Sequence, residues 1–490
     1  MKLTNLIPEA NPLTSVDPDL SIQGVTDHTD HVCPGDLFIC RKGEHFDPFY
    51  LLPLVEKKGA AAIVAEEGSP LPALNIPCVF VKSIRETEAD IWRNFYGNPE
   101  RDLTLIGITG TNGKTSTALI LSHILTSSGI CCGYIGTLGV KLGDRSLTHL
   151  AAEGVTTPPP SLLYKALRSL RNNGAETVII EVSSHALAQA RVHGLVFDRA
   201  LFTNLTEDHL DYHGTMDAYF EAKSTLFRQT RKAILNVDDP YGKRLFSQLS
   251  CDKTDCGVIE NSSHRVEDLY EKEGEDTKYT CVTPYASFQI SYPLCGAFNV
   301  YNTLLAITTA LQCGVCQEQV RRALLSLPPI PGRMERLSLN APFSVIIDHA
   351  HTPDAMEQAI KAARRITHGR VLVLFGAGGD REKEKRPIMG RIAEENADFC
   401  IVTSDNARTE STCAILSDIL SGMRKKEKRL VVSDRRQAIL TALSYLKAGD
   451  TLLLLGKGHE AYLITREGKQ PFSEKEIVYS YVREHERKWS

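Results

Sequence analysis

The sequence predicts an α/β protein of three domains, with a phosphate-binding loop in the middle one and a doubly wound, Rossmann-like sheet in the last. Three observations carry this. A length of 490 residues corresponds to about three domains. Short apolar runs alternate with stretches of helical periodicity, the pattern of parallel sheets covered on both faces. Breaker clusters interrupt that alternation at Tyr96-Gly97-Asn98-Pro99 and at residues 326–332 (SLPPIPG). The expected domains are 1–100, 101–331 and 332–490.

The first segment has apolar runs at 36–40 (DLFIC), 60–64 and 78–81 (CVFV), separated by turn residues, as in a small mixed domain. In the second, the run at 103–108 is followed by a helical pattern at 115–128 that Gly129 closes. Further strands are expected at 177–182 and 233–237, while 250–280 reads as a polar surface excursion. The third alternates again, with strands expected at 344–347, 370–375, 399–403, 430–433 and 451–455. Ligands of such sheets bind at the carboxyl ends of the strands.

Composition excludes several classes. Apolar residues make up 42% and charged residues 24%, which is ordinary for globular proteins and excludes extended disorder. Lys and Arg number 56 against 60 Asp and Glu, too few for a generic nucleic-acid or anionic-membrane binder. The basic run RKKEKR at 424–429 reads as a solvated helix end or loop. Thirteen cysteines, an odd number, exclude a complete disulfide framework in a monomer. The C-x-x-C pair Cys313 and Cys316 has no second pair at zinc spacing and reads as two buried helical thiols. The N-terminal stretch MKLTNLIPEANPL lacks a signal-peptide core, and no apolar run reaches the ~18 residues of a membrane helix. A soluble protein of a reducing compartment is expected.

The strongest chemical signal is Gly107-Ile-Thr-Gly110-Thr111-Asn112-Gly113-Lys114-Thr115. An apolar strand feeds a glycine-rich loop that opens a helix, so backbone N–H groups surround a phosphate and Lys114 adds a point charge. Thr115 is placed to ligate Mg²⁺. The strict spacing wants glycine six residues before the lysine, where Ile108 stands. Glu181 ends a strand in Glu181-Val-Ser183-Ser184-His185, and His209 lies in Asp208-His209-Leu210-Asp211-Tyr212-His213. Such a carboxylate and imidazole suit Mg²⁺ beside bound phosphates. His209 and His213 have zinc-protease spacing, but Leu210 replaces the glutamate base that chemistry needs. In Gly376-Ala-Gly378-Gly379-Asp380-Arg381 the third glycine of a dinucleotide loop is missing, which argues against a dehydrogenase.

Together these residues resemble the Mur ligase family. The resemblance rests on T-G-T-N-G-K-T, Thr156-Thr157-Pro158, E-V-S-S-H, D-H-L-D-Y-H-G and Ala222-Lys223, then G-A-F-N-V-Y-N at 296–302, P-G-R-M-E at 331–335 and D-H-A-H-T-P at 348–353. The motifs G-G-D-R, D-N-A-R and G-K-G-H-E are similar to those of its MurE branch, and the match runs along nearly the whole chain in the family's order. The branch adds the third residue of the peptidoglycan stem peptide to UDP-N-acetylmuramoyl-L-alanyl-D-glutamate. The resemblance therefore implies an N-terminal UDP-binding domain, a central ATPase domain and a C-terminal domain that receives the amino acid. It implies ATP and Mg²⁺, an acyl-phosphate intermediate, a cytoplasmic monomer, and neither nucleic acid nor membrane as partner.

By the same resemblance, Gly110, Thr111, Asn112, Gly113, Lys114, Thr115 and Ser116 hold the ATP phosphates. Asn299, Asn302, Arg333 and Asp348 serve the adenosine side or interdomain closure. Thr115, Glu181, His209 and Lys223, the last as a carbamate, are the implied metal ligands. Thr156, Thr157, Ser183, Gln189 and Arg191 contact the UDP-sugar peptide. Arg381, Asp405, Asn406, Ala407, Arg408, Gly456 and Glu460 receive the amino acid. Arg408 points to meso-diaminopimelate over L-lysine, because a guanidinium fork matches the distal carboxylate that lysine lacks.

The chain departs from the family at three places. Asp27-His28-Thr29 stands for the usual Asp-Ser-Arg, His349 for Tyr, and Ala407 for the Pro that would hold Asn406 extended. Competing readings are a ligase using L-lysine, a folylpolyglutamate synthetase, which needs neither the N-terminal domain nor the D-N-x-R loop, and a nucleotide switch that binds UDP-sugar without ligation.

Overall fold

The computed structural model describes the chain except for residues 9–16, 18, 44–46, 151, 153, 260, 272–274 and 487–490. Residues 9–13 of the N-terminal stretch read above lie outside the described residues. Packing groups the chain into two units, 1–109 with 130–200 and 222–233, and 110–129 with 201–221 and 234–490. No described helix is long and apolar enough to cross a membrane.

In the first unit, Gly24–Thr26, Asp36–Cys40, Ala62–Glu66 and Cys78–Val81 form a parallel sheet in chain order. Phe38 and Cys40 pack there with Leu52, Val55 and Ile63. The helix Ile84–Phe95 starts at Ser83, whose hydroxyl accepts from the Glu86 N–H. It ends at the expected break, where Gly97 and Asn98 both take positive φ before Pro99. The same unit holds Thr104–Thr109, parallel to Thr177–Glu181, which is parallel in turn to Cys132–Gly136. Ile108 stands opposite Glu181 and is fully buried. The strand thus runs on through the position that the strict loop spacing reserves for glycine, and no unusual backbone is needed there.

In the second unit, the helix Lys114–Ser127 packs against Ala297–Gln312. Residues 250–280 are not a surface excursion. Their described part supplies Asp252–Gly257, His264–Tyr270 and Thr277–Val282, the last paired with Ser287–Tyr292. The polar reading arose because only alternate side chains point inward: Tyr279 and Cys281 are buried, while Lys278 between Thr277 and Tyr279 is exposed. Cys313 and Cys316 also correct the sequence reading. Cys313 caps the end of Ala297–Gln312 and exposed Cys316 caps the start of Gln317–Leu325, so the pair spans a turn between helices. All thirteen cysteines are free thiols, and burial pushes Cys40, Cys281 and Cys400 up to about 12.

The last sheet runs in the spatial order Glu335–Arg336, Ser344–Asp348, Thr451–Leu455, Val371–Phe375, Phe399–Val402, Arg429–Val431. Its last five strands are parallel, and each lies within two residues of its expected bounds. Val371, Val373 and Phe375 face one core, with Met356, Ile360 and Ile419. Leu372 and Leu374 face the other, with Ile439, Leu443 and Val478. Helices therefore cover both faces, and functional side chains are left to the carboxyl ends of the strands.

One buried ion cluster braces this region. Arg386 is completely buried, and its Nη1 donates to Glu410 Oε2 at 2.9 Å and Asp418 Oδ2 at 2.8 Å, while Nη2 reaches the Gly378 carbonyl at 3.2 Å. Arg386→Ala leaves both carboxylates without their counter-charge, at an expected cost of about 3–5 kcal/mol. Chemical denaturation should show this as a lowered midpoint; an unchanged midpoint would mean that the cluster is energetically silent.

Candidate active site

The glycines of the loop are required by its backbone. Gly110 has φ +148°, and a Cβ there would stand 1.9 Å from Thr203 Oγ1. Gly113 has φ +84°, and a Cβ there would meet Asn302 Oδ1 at 2.4 Å. The segment Thr203-Asn204-Leu205-Thr206 holds the loop. Thr111 N donates to the Asn204 carbonyl at 2.8 Å and Asn112 N to Asn204 Oδ1 at 2.9 Å, while Thr203 Oγ1 donates to the Asn112 carbonyl at 2.6 Å. Thr111 Oγ1 lies 3.2 Å from the Tyr219 hydroxyl. Lys114 Nζ donates to the carbonyls of Gly110 and Thr111, both at 2.9 Å. Its charge is thus held over the loop by neutral acceptors.

The residues expected on the adenosine side take two kinds of position. Asn299 and Asn302 are buried behind the loop: Thr117 Oγ1 donates to Asn302 Oδ1 at 3.2 Å, and Asn302 Nδ2 to Asn299 Oδ1 at 3.0 Å. Arg333 Nη2 reaches Thr115 Oγ1 at 3.3 Å. The Asp348 carboxylate is taken up by two backbone donors, Met334 N at 2.7 Å and Ala350 N at 2.8 Å, and burial raises its pKa despite nearby Arg333. His209 sits at φ +57° with Nε2 3.4 Å from Asp208 Oδ2, outside any helix shared with His213, which begins only at Leu210. Burial alone would raise the Asp208 carboxyl, but His209, His351 and Lys385 bring it down to about 2.

In the first unit, Glu181 is fully buried, and its carboxylate accepts from the Tyr134 hydroxyl, from Thr137 N at 3.2 Å and from Thr137 Oγ1 at 3.0 Å. The five residues expected to meet the UDP-sugar peptide form one network around it. Thr156 Oγ1 lies 3.2 Å from Thr137 Oγ1, and Thr157 Oγ1 donates to the Glu181 carbonyl at 2.8 Å. Ser183 N donates to Thr157 Oγ1 at 2.9 Å. Arg191 Nη1 donates to the Thr157 carbonyl at 2.6 Å, and its Nη2 to Gln189 Oε1 at 2.8 Å. Lys223, on the helix Met216–Arg228, is only 1% exposed, so it is not a surface lysine. A carboxylate held by neutral hydroxyl donors suits a hard cation that keeps its waters and phosphate oxygens. Among the described residues no group of three or more His, Cys, Asp or Glu side chains could hold a metal by itself.

The third cluster lies where the last sheet's strands end. Arg408 has φ +52°, and its Nη1 donates to the Gly379 carbonyl at 2.6 Å; Glu410 turns instead to Arg386. Burial lowers the Arg408 pKa, and the like charge of exposed Arg381 adds to this. Two guanidiniums that repel one another form a place for an anion. Carboxylates of Asp405 and Glu460 act on Arg408 in the opposite sense. Burial would raise Asp405, but Arg435 and Lys457 keep its carboxyl below the ordinary range. A Cβ at Gly456, φ +106°, would meet Asp405 Oδ2 at 2.4 Å, so only glycine fits there. Asn406 Nδ2 donates to Glu460 Oε2 at 3.0 Å. Ala407 is buried, and its carbonyl lies 1.9 Å from where a Cβ on Gly379 would stand.

Known proteins decide the family. The Mur ligase middle domain matches residues 108–310, and the Mur ligase glutamate ligase domain matches residues 332–458. The UDP-N-acetylmuramoyl-L-alanyl-D-glutamate–2,6-diaminopimelate ligase of Geobacillus thermodenitrificans is 39% identical over 464 residues, 93% of each chain. The chain belongs to the Mur ligase family. A Clostridium acetobutylicum relative, named as ligase 1 of the same kind, is 37% identical over 99% of this chain and 100% of its own. A solved structure titled as the same diaminopimelate ligase superposes with TM-score 0.68 at 27% identity, over 99% of both chains.

This Mur ligase also uses residues that its sequence did not single out. Arg435, fully buried and paired with Glu474, donates to the Ser404 carbonyl at 2.9 Å and the Leu455 carbonyl at 2.7 Å, which joins two strand ends. Lys457 is buried between Asn406 and Glu460. Tyr134 holds Glu181, and Asn204 holds the loop. Lys457 lies inside the G-K-G-H-E motif, whereas for Arg435 the local signal is Asp434, an N-cap that marks a helix start without marking a function.

Proposed function

We propose that this chain joins meso-diaminopimelate to UDP-N-acetylmuramoyl-L-alanyl-D-glutamate with ATP, through an acyl phosphate, in cytoplasmic peptidoglycan precursor synthesis. It is read as a monomer with UDP-sugar-binding, ATPase and amino-acid-binding domains at 1–100, 101–331 and 332–490. The observation that carries the substrate choice is the cluster of opposite charges at the strand ends. Arg381 and Arg408 offer guanidiniums, while Asp405 and Glu460 offer carboxylates, which suits a terminus bearing both a carboxylate and an ammonium.

A carboxylate is a poor electrophile because its charge repels an incoming amine. Transfer of the γ-phosphoryl group to the D-glutamyl carboxylate releases ADP and gives an acyl phosphate. The free amine of diaminopimelate then attacks the acyl carbon, and phosphate leaves with the bonding pair. The chain's part is positioning and charge neutralisation by Lys114 and the loop N–H groups. Thr115, Glu181, His209 and carbamylated Lys223 would hold Mg²⁺, which neutralises phosphate charge when bound.

Phosphate release that requires both the UDP-sugar dipeptide and diaminopimelate is the expected result. Hydrolysis indifferent to both would favour a nucleotide switch, and equal turnover with L-lysine would overturn the amino-acid assignment. Lys223→Ala should lose most activity, with partial recovery in a short carboxylate such as formate, read as phosphate release. Full activity in that variant would remove the carbamate from the mechanism.

A further inference from the structure

The buried ammonium of Lys457 belongs to none of the roles described so far. It has 0% side-chain exposure and lies between the two segments that form the amino-acid pocket. Its Nζ is 2.7 Å from Glu460 Oε2, 2.8 Å from Asn406 Oδ1 and 3.7 Å from Asp405 Oδ1. Asn406 Oδ1 also accepts from Ile464 N at 2.9 Å. Two donors at Oδ1 fix the Asn406 amide, so its Nδ2 must face Glu460, which it reaches at 3.0 Å. Both bonds to the Glu460 side chain land on Oε2, one from Lys457 itself and one from an amide that Lys457 and Ile464 N orient together.

We infer that Lys457 is the positioning residue of the amino-acid pocket, turning Glu460 so that Oε1 is presented to the substrate's distal ammonium. The inference rests on the proposed amino-acid site. Charge balance supports it. Asp405 and Glu460 bring two negative charges into one partly buried place, and Lys457 cancels one. Without Lys457, two close carboxylates would share a proton or splay apart, and Asn406 would lose one of the two donors that set its amide.

The test is a double-mutant cycle with full-length protein, read as kcat/KM for diaminopimelate alongside KM for ATP and for the UDP-sugar dipeptide. Lys457→Met and Glu460→Gln should each lower kcat/KM for diaminopimelate about 100-fold, the scale of losing one partner of a desolvated charge pair. Both should leave the other two KM values within about threefold. Because Lys457 acts through Glu460, the double variant should be no worse than Glu460→Gln alone, within about threefold. A merely structural role would make the two losses multiply, or raise all three KM values, and either result overturns the inference. Thermal melts identify any variant that fails to fold, and Lys457→Gln, which keeps a donor to Glu460, then takes its place in the cycle. An unimpaired Lys457→Met with an impaired Glu460→Gln refutes the inference alone, whereas an unimpaired Glu460→Gln refutes the amino-acid site itself.

Discussion

Lys114→Ala should reduce ATP-dependent phosphate release by about 10²–10³-fold, the usual loss when one preorganised donor to developing charge is removed. Lys114 Nζ is held by the carbonyls of Gly110 and Thr111, so its ammonium is fixed over the loop before any phosphate arrives. The loop N–H groups remain in the variant, which is why some turnover persists. The UDP-sugar dipeptide should still bind, because Thr157, Ser183, Gln189 and Arg191 form a separate network around Glu181. Calorimetric titration with that substrate and a phosphate-release assay separate the two effects. Turnover within threefold of wild type would overturn the assignment of the loop.

Arg408→Ala should weaken use of diaminopimelate by about 2–5 kcal/mol, which is roughly 30- to several-thousand-fold in kcat/KM. Burial and Arg381 already disfavour the Arg408 charge, so a bound carboxylate relieves repulsion as well as forming hydrogen bonds. The backbone of the loop is tied independently through Arg408 N to the Ile464 carbonyl at 3.0 Å and Gly379 N to the Asn406 carbonyl at 2.9 Å, so removal of the side chain should leave it in place. ATP and UDP-sugar binding should change little. Selectivity over L-lysine should narrow, because lysine makes no use of the guanidinium. A variant with unchanged kcat/KM and unchanged selectivity would place the distal carboxylate elsewhere.

Much of this architecture was legible because its signals are local. A strand such as 451–455 is apolar at every position after Thr451, and its bounds in the fold are Thr451–Leu455, as expected. The glycine loop was legible because the backbone at Gly110 and Gly113 excludes other residues. The strands in 250–280 were missed because a half-exposed antiparallel strand carries as many polar as apolar residues. Among the site residues named from motifs, Thr156, Thr157, Ser183, Gln189 and Arg191 are joined by hydrogen bonds in the network around Glu181. The burial and pairing of Arg435, Glu474 and Lys457 were not legible for a different reason. A charge in a sequence reads as a solvated side chain, and only tertiary packing shows that these are buried with partners far along the chain, such as Glu474 for Arg435.

The Arg435 bridge bears on how the enzyme family can change substrates. One guanidinium ties the carbonyl before Asp405 to the carbonyl before Gly456, so the two lips of the pocket behave as one piece. Widening the gap between them would strand the buried charge of Glu474 and break two backbone contacts at once. Drift toward a new amino acid is therefore confined to exchanging side chains along fixed lips, at positions such as Ala407 and Arg408. An inhibitor shaped to those lips would meet a surface that few substitutions can reshape, and resistance would have to arise at the side chains that line them.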